Sequence, residues 1–132
     1  MGTQILVVDD NPTNRLVVST MLRKLGFAAT LTENGELGAE AALQEPRPAL
    51  VFMDIQMPVL DGFDATVRIR QSEQTRGLSR LPVIALTADV FEQTRQRCKE
   101  ADMDDFLTKP VDLMELQSLL AKWLPTVNAS VV

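Results

Sequence analysis

The chain has 132 residues, of which 45% are hydrophobic and 23% charged, a composition that suits one domain with a single good core and excludes wholesale disorder. A net charge of -5 and a pI near 4.7 argue against a nucleic-acid or anionic-membrane surface, since both partners are themselves negative. No apolar run reaches bilayer-spanning length, no basic segment followed by a hydrophobic one opens the chain, and Cys98 is the single cysteine, so a soluble cytoplasmic protein without disulfides is expected.

Gln4-Ile5-Leu6-Val7-Val8 is an apolar, β-branched run that ends at Asp9-Asp10, the pattern of a buried strand terminating in acid. Asn11 reads as a helix N-cap and Pro12 as a first-turn residue. The helix is predicted through Leu25, with Asn14, Val17, Val18, Met21, Leu22 and Leu25 inward, and Gly26 ends it. Phe27 to Leu31 predicts a weaker strand at a sheet edge. Asn34-Gly35 turns the chain into a second helix, Glu36 to Gln44, with Leu37, Ala41 and Leu43 inward, and Pro46 and Pro48 stop it.

Ala49-Leu50-Val51-Phe52-Met53 is apolar without alternation, which is how a strand covered on both faces reads. Asp54 follows it, at the carboxyl edge where open α/β sheets bind ligands. Met57-Pro58 and Asp61-Gly62 mark a loop, with Asp61 a turn residue, and a helix from about Phe63 to Arg70 carries Val67 inward. The polar stretch Gln71 to Arg80 reads as a helix end and surface loop.

Pro82 to Leu86 is the fourth strand, with Thr87-Ala88 at its end. Asp89 to Ala101 has few apolar residues, Val90 and Phe91 among them, so any helix there is loosely held, and the charges from Glu92 to Asp105 read as a solvated face. Asp105 to Thr108 is a short fifth strand leading to Lys109-Pro110. A helix over Leu113 to Leu124 places Leu116, Leu119, Leu120 and Trp123 as its packing stripe. Residues 1–124 are thus expected to form the domain and 125–132 a tail or linker stub. Strands alternate with helices, so the class is α/β, a parallel sheet with helices on both faces.

On this reading Asp9, Asp10, Asp54, Thr87 and Lys109 gather at one edge of the sheet. Two carboxylates about 4 Å apart repel by roughly 4 kcal/mol at an effective dielectric of about 20. Three such pairs would rival the whole stability of a domain, about 5–15 kcal/mol. Either one acid stays protonated with a raised pKa or a divalent cation sits among them, and carboxylate oxygens without histidine or thiolate favour Mg2+. A carboxylate beside such a cation, with a lysine and a threonine hydroxyl arriving from neighbouring strands, suits phosphoryl transfer onto aspartate. The chain contains no histidine, which excludes a His-based metal site, a Ser-His or Cys-His nucleophile and a phosphohistidine carried on these residues.

Four stretches together, Asp9-Asp10, Met53-Asp54 through Asp61-Gly62, Leu86-Thr87-Ala88 and Phe106-Leu107-Thr108-Lys109-Pro110, resemble the receiver domains of two-component response regulators. The resemblance covers residues 4 to 124 and implies a flavodoxin-like (βα)5 fold with strand order 2-1-3-4-5. It implies that Asp54 accepts the phosphoryl group, that Asp9, Asp10, Asp54 and the carbonyl of Gln56 hold Mg2+, and that Lys109, before a cis proline, contacts the phosphate. Thr87 and Phe106 match the switch pair, and phenylalanine lacks the hydroxyl that tyrosine carries at that position in many members. Gln56 and Asp89 fall where the lifetime of the aspartyl phosphate is tuned. The implied partner is a histidine kinase or histidine phosphotransfer domain, with a receiver homodimer through the fourth helix, fifth strand and fifth helix also open. The Met-Asp-Ile-Gln-Met-Pro wording looks most like receivers of hybrid sensor kinases.

Two other readings compete. A haloacid-dehalogenase-like hydrolase shares the Asp, Mg2+, Thr and Lys chemistry but places a second Asp two residues after the nucleophile, where this chain has Gln56. A degenerate, docking-only receiver would lack a key position, and none is missing.

Overall fold

The structure, a computed structural model, describes residues 3–57, 60–88 and 91–124. Pro58, Asp89, Val90 and the tail over 125–132 lie outside the described residues. Five strands and five helices alternate: β1 (Gln4–Val8), α1 (Pro12–Lys24), β2 (Ala28–Thr32), α2 (Gly35–Leu43), β3 (Leu50–Asp54), α3 (Gly62–Arg76), β4 (Val83–Thr87), α4 (Glu92–Glu100), β5 (Asp105–Thr108) and α5 (Leu113–Trp123). All pairings are parallel and the order is β2-β1-β3-β4-β5, the expected flavodoxin-like sheet.

The central strands β1, β3 and β4 are apolar except for Gln4, Asp54 and Thr87 at their ends, because each of their faces meets helices. Leu6, Val8, Val51, Met53, Val83 and Ala85 pack with Ala39 of α2, Phe63 and Ile69 of α3 and Cys98 of α4. The alternate residues Ile5, Val7, Leu50, Phe52, Ile84 and Leu86 pack with Val18 and Leu22 of α1 and with Leu116, Leu119 and Leu120 of α5. Strand β2 is the weak edge strand expected, with none of its residues fully buried, although it starts one residue late and Phe27 joins the core from the turn.

Local signals start and stop the helices. Asn11, Asn34, Asp61 and Asp112 each cap a helix by accepting a backbone N–H from within the first turn. Gly77 ends α3 in the left-handed region, at a φ of 65°, which other residues adopt at a cost.

Helix α3 departs most from expectation. It runs to Arg76, and Val67 is exposed at its surface while Gly62, Phe63, Ala65, Thr66, Ile69 and Glu73 face inward. Gly62, Ala65, Thr66 and Glu73, small or polar, share the buried strip with Phe63 and Ile69, so apolar spacing points to the wrong side. The same holds in α2, where Gly35, Gly38, Ala39 and Ala42 are buried and Leu37 is exposed. Val17 of α1 is likewise exposed, and Asn14 is half-buried.

Glu73 explains why α3 continues. Its carboxylate accepts from Arg47 Nη2 and the Leu81 N–H, both at 2.8 Å, and from Arg70 Nη1 at 2.9 Å. Arg70 also donates to Asp104 at 2.7 Å, and Arg80 bridges Asp102 and Asp104. The acids at 102 and 104 are therefore committed to arginines and are not simply a solvated face. This network joins the ends of α2, α3 and α4 to the starts of β4 and β5. Burial pushes the Glu73 carboxyl up, but the hydrogen bonds from Arg47, Leu81 and Arg70 more than reverse this and hold it below its ordinary 4.5. The stability it contributes is thus present above that ordinary value and lost as the pH falls through the lowered one. Glu73→Gln, which leaves two guanidiniums short of a charge, is expected to cost about 2–3 kcal/mol at pH 7 in denaturant unfolding, with the gap from wild type closing on acidification below the ordinary 4.5.

Candidate functional site

The carboxyl ends of four strands converge. Asp9 follows β1, Asp54 ends β3, Thr87 ends β4 and Lys109 follows β5. Asp54 pairs in register with Leu86 and Thr87 with Thr108, so the acid and the hydroxyl sit at neighbouring strand ends one residue apart. The Lys109 N–H donates to the Thr87 carbonyl at 2.8 Å and carries the sheet ladder one residue past β5. The Lys109-Pro110 peptide bond is cis, as expected.

Side-chain geometry brings the expected residues together. Lys109 Nζ lies 3.0 Å from Asp54 Oδ1 and 3.6 Å from Asp9 Oδ2. Asp9, Asp10 and Asp54 each offer a carboxylate oxygen, all within 4.8 Å of one another. Asp9 and Asp54 are buried, at 0% and 2% exposure, whereas Asp10 is exposed at the rim. Gln56 donates its backbone N–H to Asp54 Oδ1 at 3.1 Å, with its side chain exposed. Thr87 is buried and Phe106 half-buried. Asp89 lies outside the described residues.

Close backbone approach shapes the rim. A Cβ on Gly62 would lie 2.3 Å from the Asp54 carbonyl, so glycine lets α3 start directly against the end of β3. Arg15 is a participant that residue spacing did not reveal. From the first turns of α1 its Nη1 donates to the Asp9 backbone carbonyl at 2.7 Å, while the Asn11 N–H holds Asp9 Oδ1 at 2.9 Å.

Whether these residues suit a divalent cation can be tested on the carboxylates themselves. Asp9 Oδ2 is fully buried and has no hydrogen-bond partner among the described residues. With the Lys109 ammonium 3.6 Å away, beyond hydrogen-bond distance, such an oxygen is expensive in an interior unless a further cation meets it. With three hard oxygen donors and no imidazole or thiolate among them, the set fits Mg2+.

Comparison with known proteins decides the family. Residues 5–121 match the response regulator receiver domain. The chain belongs to that family. This receiver is 41% identical to the sensor protein GacS of Pseudomonas syringae pv. syringae over 120 residues, which cover 91% of the chain but 13% of GacS, and it also resembles hybrid signal transduction histidine kinases of Dictyostelium discoideum. The receiver domain of sensor histidine kinase PA1611 from Pseudomonas aeruginosa PAO1, solved with a magnesium ion coordinated in its active-site cleft, superposes with a TM-score of 0.83 at 42% identity, over 95% of this chain and 99% of that one. The receiver domain of Saccharomyces cerevisiae Ssk1, solved with the histidine phosphotransfer protein Ypd1, gives 0.86 at 30% identity, over 92% of this chain and 88% of that one. The receiver thus spans a small part of the curated relatives it matches. Among its described residues no helix is long and apolar enough to cross a membrane.

Burial raises the Asp54 carboxyl from an ordinary 3.8 to about 6, with the Asp9 charge adding to the shift, while the Gln56 N–H and the Lys109 ammonium oppose it. Between those two values the folded protein holds a proton that the unfolded chain has released. Stability therefore falls as the pH rises through that window. Asp54→Asn is expected to stabilise the metal-free protein by about 2 kcal/mol at pH 7–8 and by little at pH 4, read from urea unfolding in chelator.

Proposed function

We propose that this receiver is a phosphorylation-controlled signalling switch in which Asp54 takes a phosphoryl group from a phosphohistidine on a partner histidine kinase or phosphotransfer domain. The observation that carries the reading is the buried Asp54 carboxylate at a strand end, 3.0 Å from Lys109 and within reach of Asp9 and Asp10. The donor lies outside these residues, which contain no histidine. The complex of the Ssk1 receiver with Ypd1 supports a phosphotransfer domain as one such donor.

In the transfer an Asp54 oxygen attacks phosphorus as the P–N bond breaks, and the electron pair of that bond stays on the imidazole nitrogen. Lys109 draws charge from one equatorial phosphoryl oxygen, and the Thr87 hydroxyl donates to another. Asp9, Asp10, Asp54 and the Gln56 carbonyl are the groups that would hold Mg2+, which when bound neutralises charge on the transferring group. Attack of water at phosphorus later breaks the bond between phosphorus and the Asp54 oxygen, restores the carboxylate and releases inorganic phosphate, at a rate tuned by the side chains at Gln56 and Asp89.

Occupancy at Asp54 is read out through Thr87 and Phe106. Drawing Thr87 to the phosphoryl group opens space into which the half-buried Phe106 ring turns, and this shifts the population toward a state with a reshaped face of α4, β5 and α5. That face carries a groove lined by Phe106, Met114 and Leu119, with Met114 75% exposed, and it suits a partner or a second receiver. The domain is assigned residues 1–124, with 125–132 as a tail or linker stub.

Incubation with acetyl phosphate or a phosphohistidine donor and Mg2+ is expected to place an acid-stable, base-labile label on Asp54. Equal labelling of Asp54→Asn would falsify the assignment. Lys109→Ala is expected to slow labelling about 100-fold, as loss of a donor to the transferring group does elsewhere. Mg2+ should raise the melting temperature of the wild type and leave Asp10→Ala nearly unmoved, a comparison that differential scanning fluorimetry makes directly.

A further inference from the structure

Helix α4 is the least embedded of the five helices. Cys98 alone of its nine residues is buried, and Phe91 at its N-cap position makes no side-chain cap. At about 100° per residue, Arg95 and Arg97 fall on opposite flanks of the strip that Cys98 leads. Each guanidinium lies over an aromatic ring. Arg97 Cζ is 4.1 Å from the centre of Phe63, the second residue of α3, and Arg95 Cζ is 5.7 Å from the centre of Phe106 in β5.

The two rings differ in what they can do. Phe63 is buried in the core between the sheet and α3, so Arg97 clamps the helix to a fixed element. Phe106 is only half-buried and has no hydroxyl to tether it, so its place is decided by burial on one side and by the guanidinium on the other.

We propose that Arg95 is a positioning residue for the switch: its guanidinium on the face of Phe106 holds that ring in its half-buried place and favours the resting arrangement. The contact is given up when the ring turns inward, and Arg97 on Phe63 keeps α4 docked meanwhile. This rests on the switch reading above. Arg95 touches no reacting atom, and its effect is on how often Phe106 leaves its half-buried place.

The test uses the intact chain carrying fluorophenylalanine, with the Phe106 signal identified by its loss in Phe106→Leu. The solvent isotope shift of that fluorine reports how much time the ring spends exposed. With no phosphoryl donor and no metal present, Arg95→Gln is expected to raise the inward population about two- to fivefold, the factor that corresponds to an exposed guanidinium–ring contact. Arg95→Lys, which keeps a cation, should fall between wild type and Arg95→Gln. Arg97→Gln should leave the Phe106 signal in place. An unchanged Phe106 signal in Arg95→Gln, or an equal change in Arg97→Gln, overturns the proposal. Because no donor is added, the result stands whether or not Asp54 accepts label.

Discussion

Two carboxylates buried against a single ammonium set the terms for the rest of this molecule. Asp9 and Asp54 are almost wholly withdrawn from water, and Lys109 reaches both, yet one positive charge at 3.0 and 3.6 Å cannot neutralise two negative ones. Burial, with the Asp9 charge adding to it, raises the Asp54 carboxyl to about 6, and one Asp9 oxygen is left with no hydrogen-bond partner among the described residues. Such a site is destabilising when empty and receptive to positive charge or to protonation.

Charge is balanced instead at the other end of the sheet. Around the starts of β4 and β5, Glu73, Asp104 and Asp102 are matched by Arg47, Arg70 and Arg80 in a network with nearly every charge paired. There the opposite charges are balanced and desolvation is offset by hydrogen bonds, including those from the Leu81 and Val83 N–H groups. The two ends of the same strands thus carry opposite arrangements, one with its charges matched, the other with negative charge left over. The core residues of β1, β3 and β4 separate them.

Between the two ends lies α4, joined to the network through the turn at Asp102 and to the body of the domain by one buried residue and two guanidinium–ring contacts. A helix held by so little burial can shift at small cost, which is what a switch requires of one element and what the remaining helices do not offer. Helix α5 is by contrast anchored by Leu116, Leu119 and Leu120, and its Trp123 indole N–H donates to Asp105 at 3.0 Å, beside Phe106. Phe106 therefore stands between a firmly held helix and a loosely held one.

The sequence by itself determined the alternation of strands and helices, the Asn11 cap and the acidic edge, because strands covered on both faces leave unbroken apolar runs and because Asp9, Asp54, Thr87 and Lys109 each follow or close such a run; Asn34 and Asp61 read only as turn residues, and the strand order came from the family resemblance. What it misread were faces whose burial does not depend on apolar side chains: Val67, Leu37 and Val17 are exposed, while Gly38, Thr66 and Glu73 lie inside. Partnerships across long separations were likewise decided in the tertiary structure alone. Asp102 and Asp104 looked like solvated charge until Arg70 and Arg80 were brought to them, and Arg15, Arg95 and Arg97 gained meaning only from the carbonyl and the rings they meet. The physical reason is that backbone propensity and apolar periodicity are local properties of a chain, whereas the partner of a charge is set by whichever surface the folded sheet happens to bring within a few ångströms.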